Sequence, residues 1–172
     1  LRQVVALRGG ACTLLLSLVC LLSGCSPELD WRELDSSEGR FKVLMPARPS
    51  MASGTDAAGR TQTLWTAQAG GALFSIGYTD YAEAADSHLV RVRDVLIRSA
   101  RGKLITEAET RPPYVAGRSF IISGWAGDGS DRIVMVWLFP RGGRLYQLAI
   151  AAKPGQVGTN EADTFVLSFK PE

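Results

Sequence analysis

Apolar and polar positions follow two regimes along this chain. From Ala11 to Leu22 the residues are apolar except for Thr13 and Ser17. Beyond Trp31, apolar residues come in short alternating runs divided by Gly, Pro, Ser and Asp clusters. Such runs mark half-buried strands, and such clusters mark turns. Residues 31–35 read as a strand or its lead-in, and Ser36-Ser37-Glu38-Gly39 as a turn. Phe41, Val43 and Met45 then share one face of a strand that Pro46 and Pro49 end. Residues 47–60 hold no periodic apolar pattern and are expected to form a loop. Segments 61–69 and 73–81 flank Gly70-Gly71, a two-residue hairpin signal. In the second of them Phe74, Ile76 and Tyr78 oppose Leu73, Ser75, Gly77 and Thr79.

Residues 86–101 switch to a helical period. Leu89, Val92, Leu96 and Ala100 form an inward stripe, which Val95 widens. Asp86 or Ser87 is expected to cap the helix, and Gly102 to supply a left-handed C-terminal residue. Arg91, Arg93, Asp94, Arg98 and Arg101 are expected on a mostly solvated face. Strands follow at 103–110, 115–125, 133–139 and 145–151, with turns at 126–131 and 140–144. Arg111-Pro112-Pro113 separates the first two. The nearly continuous apolar run 133–139 predicts a central strand covered on both sides. A closing helix capped by Thr159 places Ala162, Phe165, Val166 and Phe169 inward. Hairpin turns dominate, and the helices are segregated from the strands. The class is therefore α+β: a twisted, mainly antiparallel sheet of about six to seven strands with two packed helices, one domain over residues 31–172.

The N-terminal regime has a different meaning. Arg2 and Arg8 precede the apolar run, and small residues end it. As a helix its twelve residues span about 18 Å, short of a bilayer core of about 30 Å. Basic region, short apolar region and small-residue cleavage site make a removable signal. Leu22-Ser23-Gly24-Cys25 resembles the lipobox of bacterial lipoproteins in every position. That resemblance implies a signal peptide over residues 1–24, cleavage after Gly24 and a diacylglyceryl thioether on Cys25. Residues 25–30 would be a short tether. The implied partner is the lipid bilayer, reached through acylated Cys25, and the implied address is the cell envelope. Ser26, where an Asp would favour retention at the inner membrane, points to the periplasmic face of the outer membrane in a Gram-negative cell.

Charge and cysteine usage narrow the remainder. Of 19 basic residues, Arg2 and Arg8 lie in the signal, leaving 17 against 17 acidic ones. No basic stripe suited to nucleic acid survives. Cys12 and Cys20 leave with the signal, so Cys25 has no disulfide partner in the processed chain.

No catalytic constellation stands out, and no cofactor or metal is expected. His88 is the only histidine and is read as an exposed or capping residue. No serine lies in a nucleophile-elbow motif. Asp128 and Asp131 share a Gly-rich turn, read as a hairpin turn rather than a calcium loop. Glu107 and Glu109 share a strand face, either as an acid–base pair or as a solvated side. Trp31, Trp65, Trp125 and Trp137 are read chiefly as packing residues. Trp125 with Tyr114 would make a sugar- or peptide-binding surface if both flank exposed loops. Arg118 would support that surface or pair with an acid.

Four segments resemble the PsbP-like group of small α+β domains. They are Gly39-Arg40-Phe41-Lys42-Val43-Leu44-Met45-Pro46-Ala47-Arg48-Pro49, Ala116-Gly117-Arg118-Ser119-Phe120, Gly143-Arg144-Leu145-Tyr146-Gln147-Leu148, and the closing helix from Ala162 to Phe169. The likeness runs from about Trp31 to Lys170 and rests on turn and core residues. It implies a fold, together with docking, assembly or scaffold roles, and no catalytic residue. The expected function is thus a non-enzymatic, membrane-anchored envelope module that docks another envelope protein. The alternative is a ligand-binding lipoprotein with a pocket between sheet and helix for a small molecule, lipid or glycan.

Overall fold

Two glycine pairs set the register of the main sheet. Gly70 and Gly71 have φ of 55° and 72°, and Gly142 and Gly143 have 57° and 73°. Two consecutive left-handed residues match the twist of a tight hairpin. The structure, a computed structural model, describes residues 29–55, 60–81, 85–111 and 113–172. The signal, Cys25 and the tether up to residue 28 lie outside the described residues, as do residues 56–59 of the expected loop, the Asp86 side chain and Pro112.

The strands are β1 (Arg32–Ser36), β2 (Phe41–Met45), β3 (Ser50–Thr55), β4 (Thr61–Ala69), β5 (Ala72–Asp80), β6 (Lys103–Thr110), β7 (Gly117–Trp125), β8 (Asp131–Arg141), β9 (Arg144–Ala152) and β10 (Lys170–Pro171). Helix α1 spans Ala85–Ser99 and α2 spans Thr159–Leu167. Seven strands form an antiparallel sheet in the order β3-β4-β5-β9-β8-β7-β6, and β1-β2-β10 form a second, three-stranded sheet. The α+β class and the mainly antiparallel seven-stranded sheet are as expected.

Three layers result. On one face of the large sheet, Phe74, Ile76, Tyr146, Leu148 and Ile150 meet Phe41, Val43 and Met45 of the small sheet and Phe165, Val166 and Phe169 around α2. Phe74 meets Phe165 edge to face at 5.5 Å. The Tyr146 hydroxyl donates to the Gly39 carbonyl at 2.9 Å, and Arg144 Nη1 donates to the Glu38 carbonyl at 2.8 Å, which ties the two sheets together. On the other face, Leu89, Val92 and Leu96 of α1 cover Phe120, Val136, Leu138, Leu145 and Ala149. As a central strand packed on both sides, β8 needs its continuous apolar run.

Several local expectations are corrected. Residues 50–55 form strand β3, although a loop was expected over 47–60. Every one of its residues is exposed, so it has no alternating pattern. Its backbone ladder to β4 and the Ser50–Thr66 and Ser53–Thr63 side-chain bonds hold it. Helix α2 is capped by Gly158 without a side-chain bond, and Thr159 is its first helical residue. At the end of α1 the left-handed residue is Arg101, with φ 49°, and not Gly102. Gly102 serves close approach instead. A Cβ there would lie 2.2 Å from the Ser123 carbonyl oxygen, and one on Gly124 would lie 2.2 Å from the Ala100 carbonyl oxygen. This glycine contact, with Trp125 N–H donating to the Ala100 carbonyl at 3.1 Å, pins the end of α1 to β7.

A cavity between the first helix and the sheet

Helix α1 lies off-centre. Its stripe covers β7, β8 and β9 and leaves β4 and the far half of β5 without a lid. Opposed residues of an antiparallel ladder share a face. By register, the uncovered part presents Gln62, Leu64 and Thr66 of β4 and Ser75, Gly77 and Thr79 of β5. Most are small or polar, so no apolar surface there draws a helix across.

The result is a cavity of about 470 Å³ between α1 and strands β4, β5 and β9. Val92, Val95 and Leu96 form its helical wall, and Leu145 meets them from β9. Gln62, Gly77, Thr79 and Gln147 line the sheet side. Arg60, His88 and Arg91 complete it at one end. His88, Arg91, Val92 and Val95 stand at i, i+3, i+4 and i+7, so one helix face supplies them all. The size and the mix of an apolar wall with a few polar groups are those of small-molecule sites.

His88 is therefore not the exposed or capping residue expected. It is 2% exposed, stacks on Tyr81 with ring centres 5.1 Å apart, and places Nδ1 3.4 Å from Arg60 Nη1. The helix begins at Ala85, which turns position 88 inward beside Leu89. Val95 does not join the core either. It is 49% exposed and overhangs the cavity. Arg91 lines the cavity, while Arg98 and Arg101 are exposed as expected.

Glu107 accepts from Arg93 Nη1 at 3.1 Å and from Arg118 Nη1 at 3.0 Å. It thus clamps α1 to β6 and β7, and Arg93 belongs to this clamp rather than to a free polar face. The neighbouring Asp94, first, and then Glu107 hold the Arg93 pKa above the usual guanidinium range. Glu109 faces Arg111 at 3.4 Å in solvent. The two glutamates are thus divided between different arginines, which is not the arrangement of an acid–base pair. Of its two readings, Arg118 takes the pairing with an acid.

The Tyr114 hydroxyl donates to Asp163 Oδ1 at 2.7 Å, and this bond, then burial, raises the phenol pKa. Trp125 lies at the other end of β7. At about 3.3 Å per residue the two aromatics are more than 20 Å apart, so they do not form one sugar- or peptide-binding surface. Asp128 Oδ1 accepts from the Ser130 N–H at 3.0 Å and its hydroxyl at 2.7 Å, which holds the carboxyl low. Residues 126–130 form a turn, as read, and Asp131 already opens β8. Among the described residues no helix is long and apolar enough to cross a membrane.

No protein-family model matches the chain, and no curated protein matches it by sequence. Solved structures do match. The solution structure of cyanobacterial PsbP (CyanoP) from Synechocystis sp. PCC 6803 aligns with a TM-score of 0.60 at 12% identity, over 87% of this chain and 96% of that one. At that identity the likeness shows the PsbP fold and nothing further. LpqN of Mycobacterium tuberculosis, described as involved in cell envelope biogenesis, aligns at a TM-score of 0.40 and 15% identity over 82% of this chain and 78% of its own.

Proposed function

We propose that this chain is a lipid-anchored, non-enzymatic binding module of the bacterial envelope. In this reading acylated Cys25 holds it at the membrane, on the periplasmic face of the outer membrane in a Gram-negative cell. Its ligand is a small amphipathic molecule held between α1 and the sheet. The observation that carries the reading is the cavity. Its apolar wall of Val92, Val95, Leu96 and Leu145 suits a hydrocarbon body, and Gln62, Thr79 and Gln147 offer hydrogen bonds to a polar head. The fold supports a binding role by supplying a rigid sheet as floor.

Val95→Trp tests it, because residue 95 is half exposed and the larger ring enters the cavity without crossing the core. A fluorescent fatty acid should bind the native chain and bind the variant at least tenfold more weakly, with Tm unchanged within a few degrees. Equal binding by both chains refutes the cavity as the site.

A second reading is docking of another envelope protein. Edge strand β6 favours it, since Leu104 and Ile105 are 37% and 59% exposed there. A partner strand can add to such an edge. A photocrosslinker at position 105 in cells should then capture a discrete protein that a crosslinker at position 51, on the opposite edge, does not.

A further inference from the structure

We infer that one pole of the domain is a contact surface for anionic phospholipid. The inference rests on the anchoring of Cys25 proposed above. The described chain begins at Leu29, which lines a small cleft with Gly70, Gln156, Val157 and Glu161. The tether therefore enters beside the β4–β5 hairpin turn. From Cys25 to Leu29 the backbone reaches at most about 14 Å, so an anchored Cys25 brings this pole to the bilayer.

Register identifies what else lies at that pole. Ala69 pairs with Ala72, Leu73 with Ala151, Ile133 with Ala152, and Trp125 with Asp131. The Gly70-Gly71 turn, the loop after Ala152, the 126–130 turn and the end of α1 all gather there. Trp125 is 51% exposed among them. Arg101, Lys103 and Lys153 are exposed, and Arg132 is half-buried. Among the described residues the acids nearby are Asp128 and Asp131, with Asp30 taken up by Arg32 and Glu161 at the start of α2; Glu28 precedes Leu29 in the tether. The rim around Trp125 thus carries more cations than anions. A Trp ring at headgroup depth ringed by Lys and Arg matches an anionic lipid interface. Gln62, Thr79 and Leu145 of the large cavity lie at the opposite end of the same strands, about 25 Å away at 3.3 Å per residue.

The test uses the full-length product recovered from cells and reconstituted into vesicles of brominated phosphatidylglycerol and phosphatidylcholine. Bromolipid should quench part of the tryptophan emission, and Trp125→Phe should lose most of that quenching. Lys103→Glu with Lys153→Glu should weaken it, as should raised salt. Quenching that is equal in native and W125F chains overturns the inference, and so does quenching equally strong in vesicles lacking phosphatidylglycerol. Intact mass at Cys25 is read separately. A missing diacylglyceryl group refutes the anchor, whereas absent Trp125 quenching in an acylated chain refutes the pole.

Discussion

Gly124→Ala is the substitution that asks most directly what holds α1 in place. The new methyl carbon would sit 2.2 Å from the Ala100 carbonyl oxygen, 3.1 Å from its carbon and 3.2 Å from its Cβ. Ordinary contact needs about 1 Å more, and the obstacle is backbone, so the end of α1 must lift. Lifting it breaks the bond from Trp125 N–H to the Ala100 carbonyl, worth about 1 kcal/mol. Overpacking of this kind costs about 1–3 kcal/mol. The lower chain entropy of Ala in the unfolded state returns about 0.4–1 kcal/mol. The net loss is about 2 kcal/mol, or about 4–8 °C in Tm for a domain of this size. Urea unfolding followed by tryptophan fluorescence measures it. Gly127→Ala is the matched control, because no atom lies within 4 Å of its added Cβ and its φ is not left-handed. That variant should be neutral or slightly stabilised. If G124A proves as stable as G127A, the close approach of α1 to β7 is not what fixes the helix.

Phe165→Ala removes a ring with no exposed surface from the layer between α2 and the sheet and should cost about 3–5 kcal/mol, read as a shift in urea midpoint. Glu107→Gln should cost only about 1 kcal/mol, because the carboxylate is a quarter exposed, and a double-mutant cycle with Arg93→Met should return a coupling below about 1 kcal/mol. Tyr114 has a raised folded pKa, so its contribution is complete below the unfolded value of about 10 and is lost as pH rises through the folded value. Urea midpoints should therefore fall from pH 9 to pH 11, and Tyr114→Phe should flatten part of that fall.

The sequence was most legible where burial follows a simple period. Phe74, Ile76 and Tyr78 alternate with Ser75 and Gly77 because one face of β5 meets the core and the other meets little. Ala162, Phe165 and Val166 were legible for the same reason on a helix. The period is silent where neither face is covered, and β3 was hidden for that reason: six exposed residues are held by backbone and hydroxyl bonds to β4. The two-residue β10 is too short to carry any pattern. The cavity was hidden differently. Its helical wall is the spacing of His88, Arg91, Val92 and Val95, but Arg and His on that face read as solvated. Only the offset of α1 over the sheet, a tertiary fact, turns the face toward the interior. Cys25 was legible as a motif and lies outside the described residues.

That offset has two fixed causes, and they act on opposite sides of the helix from the cavity. The glycine contact of Gly102 with Ser123 and of Gly124 with Ala100 draws the C-terminal end of α1 onto β7. Glu107, gripping Arg93 from β6, draws the middle of the helix the same way. Both pull toward the β6 edge, so the side bearing His88, Arg91 and Val95 is left overhanging β4 and β5. On this account the cavity is enforced by attachments that never touch it. Loosening either clamp should change ligand affinity without altering a lining residue. The glycine clamp should matter more, since it is set by backbone sterics, whereas the Glu107 pair is partly screened by water. A fluorescent fatty acid titrated into E107Q and into G124A would order the two. A larger loss in E107Q would mean that the ion pair, and not the glycine contact, sets the position of α1.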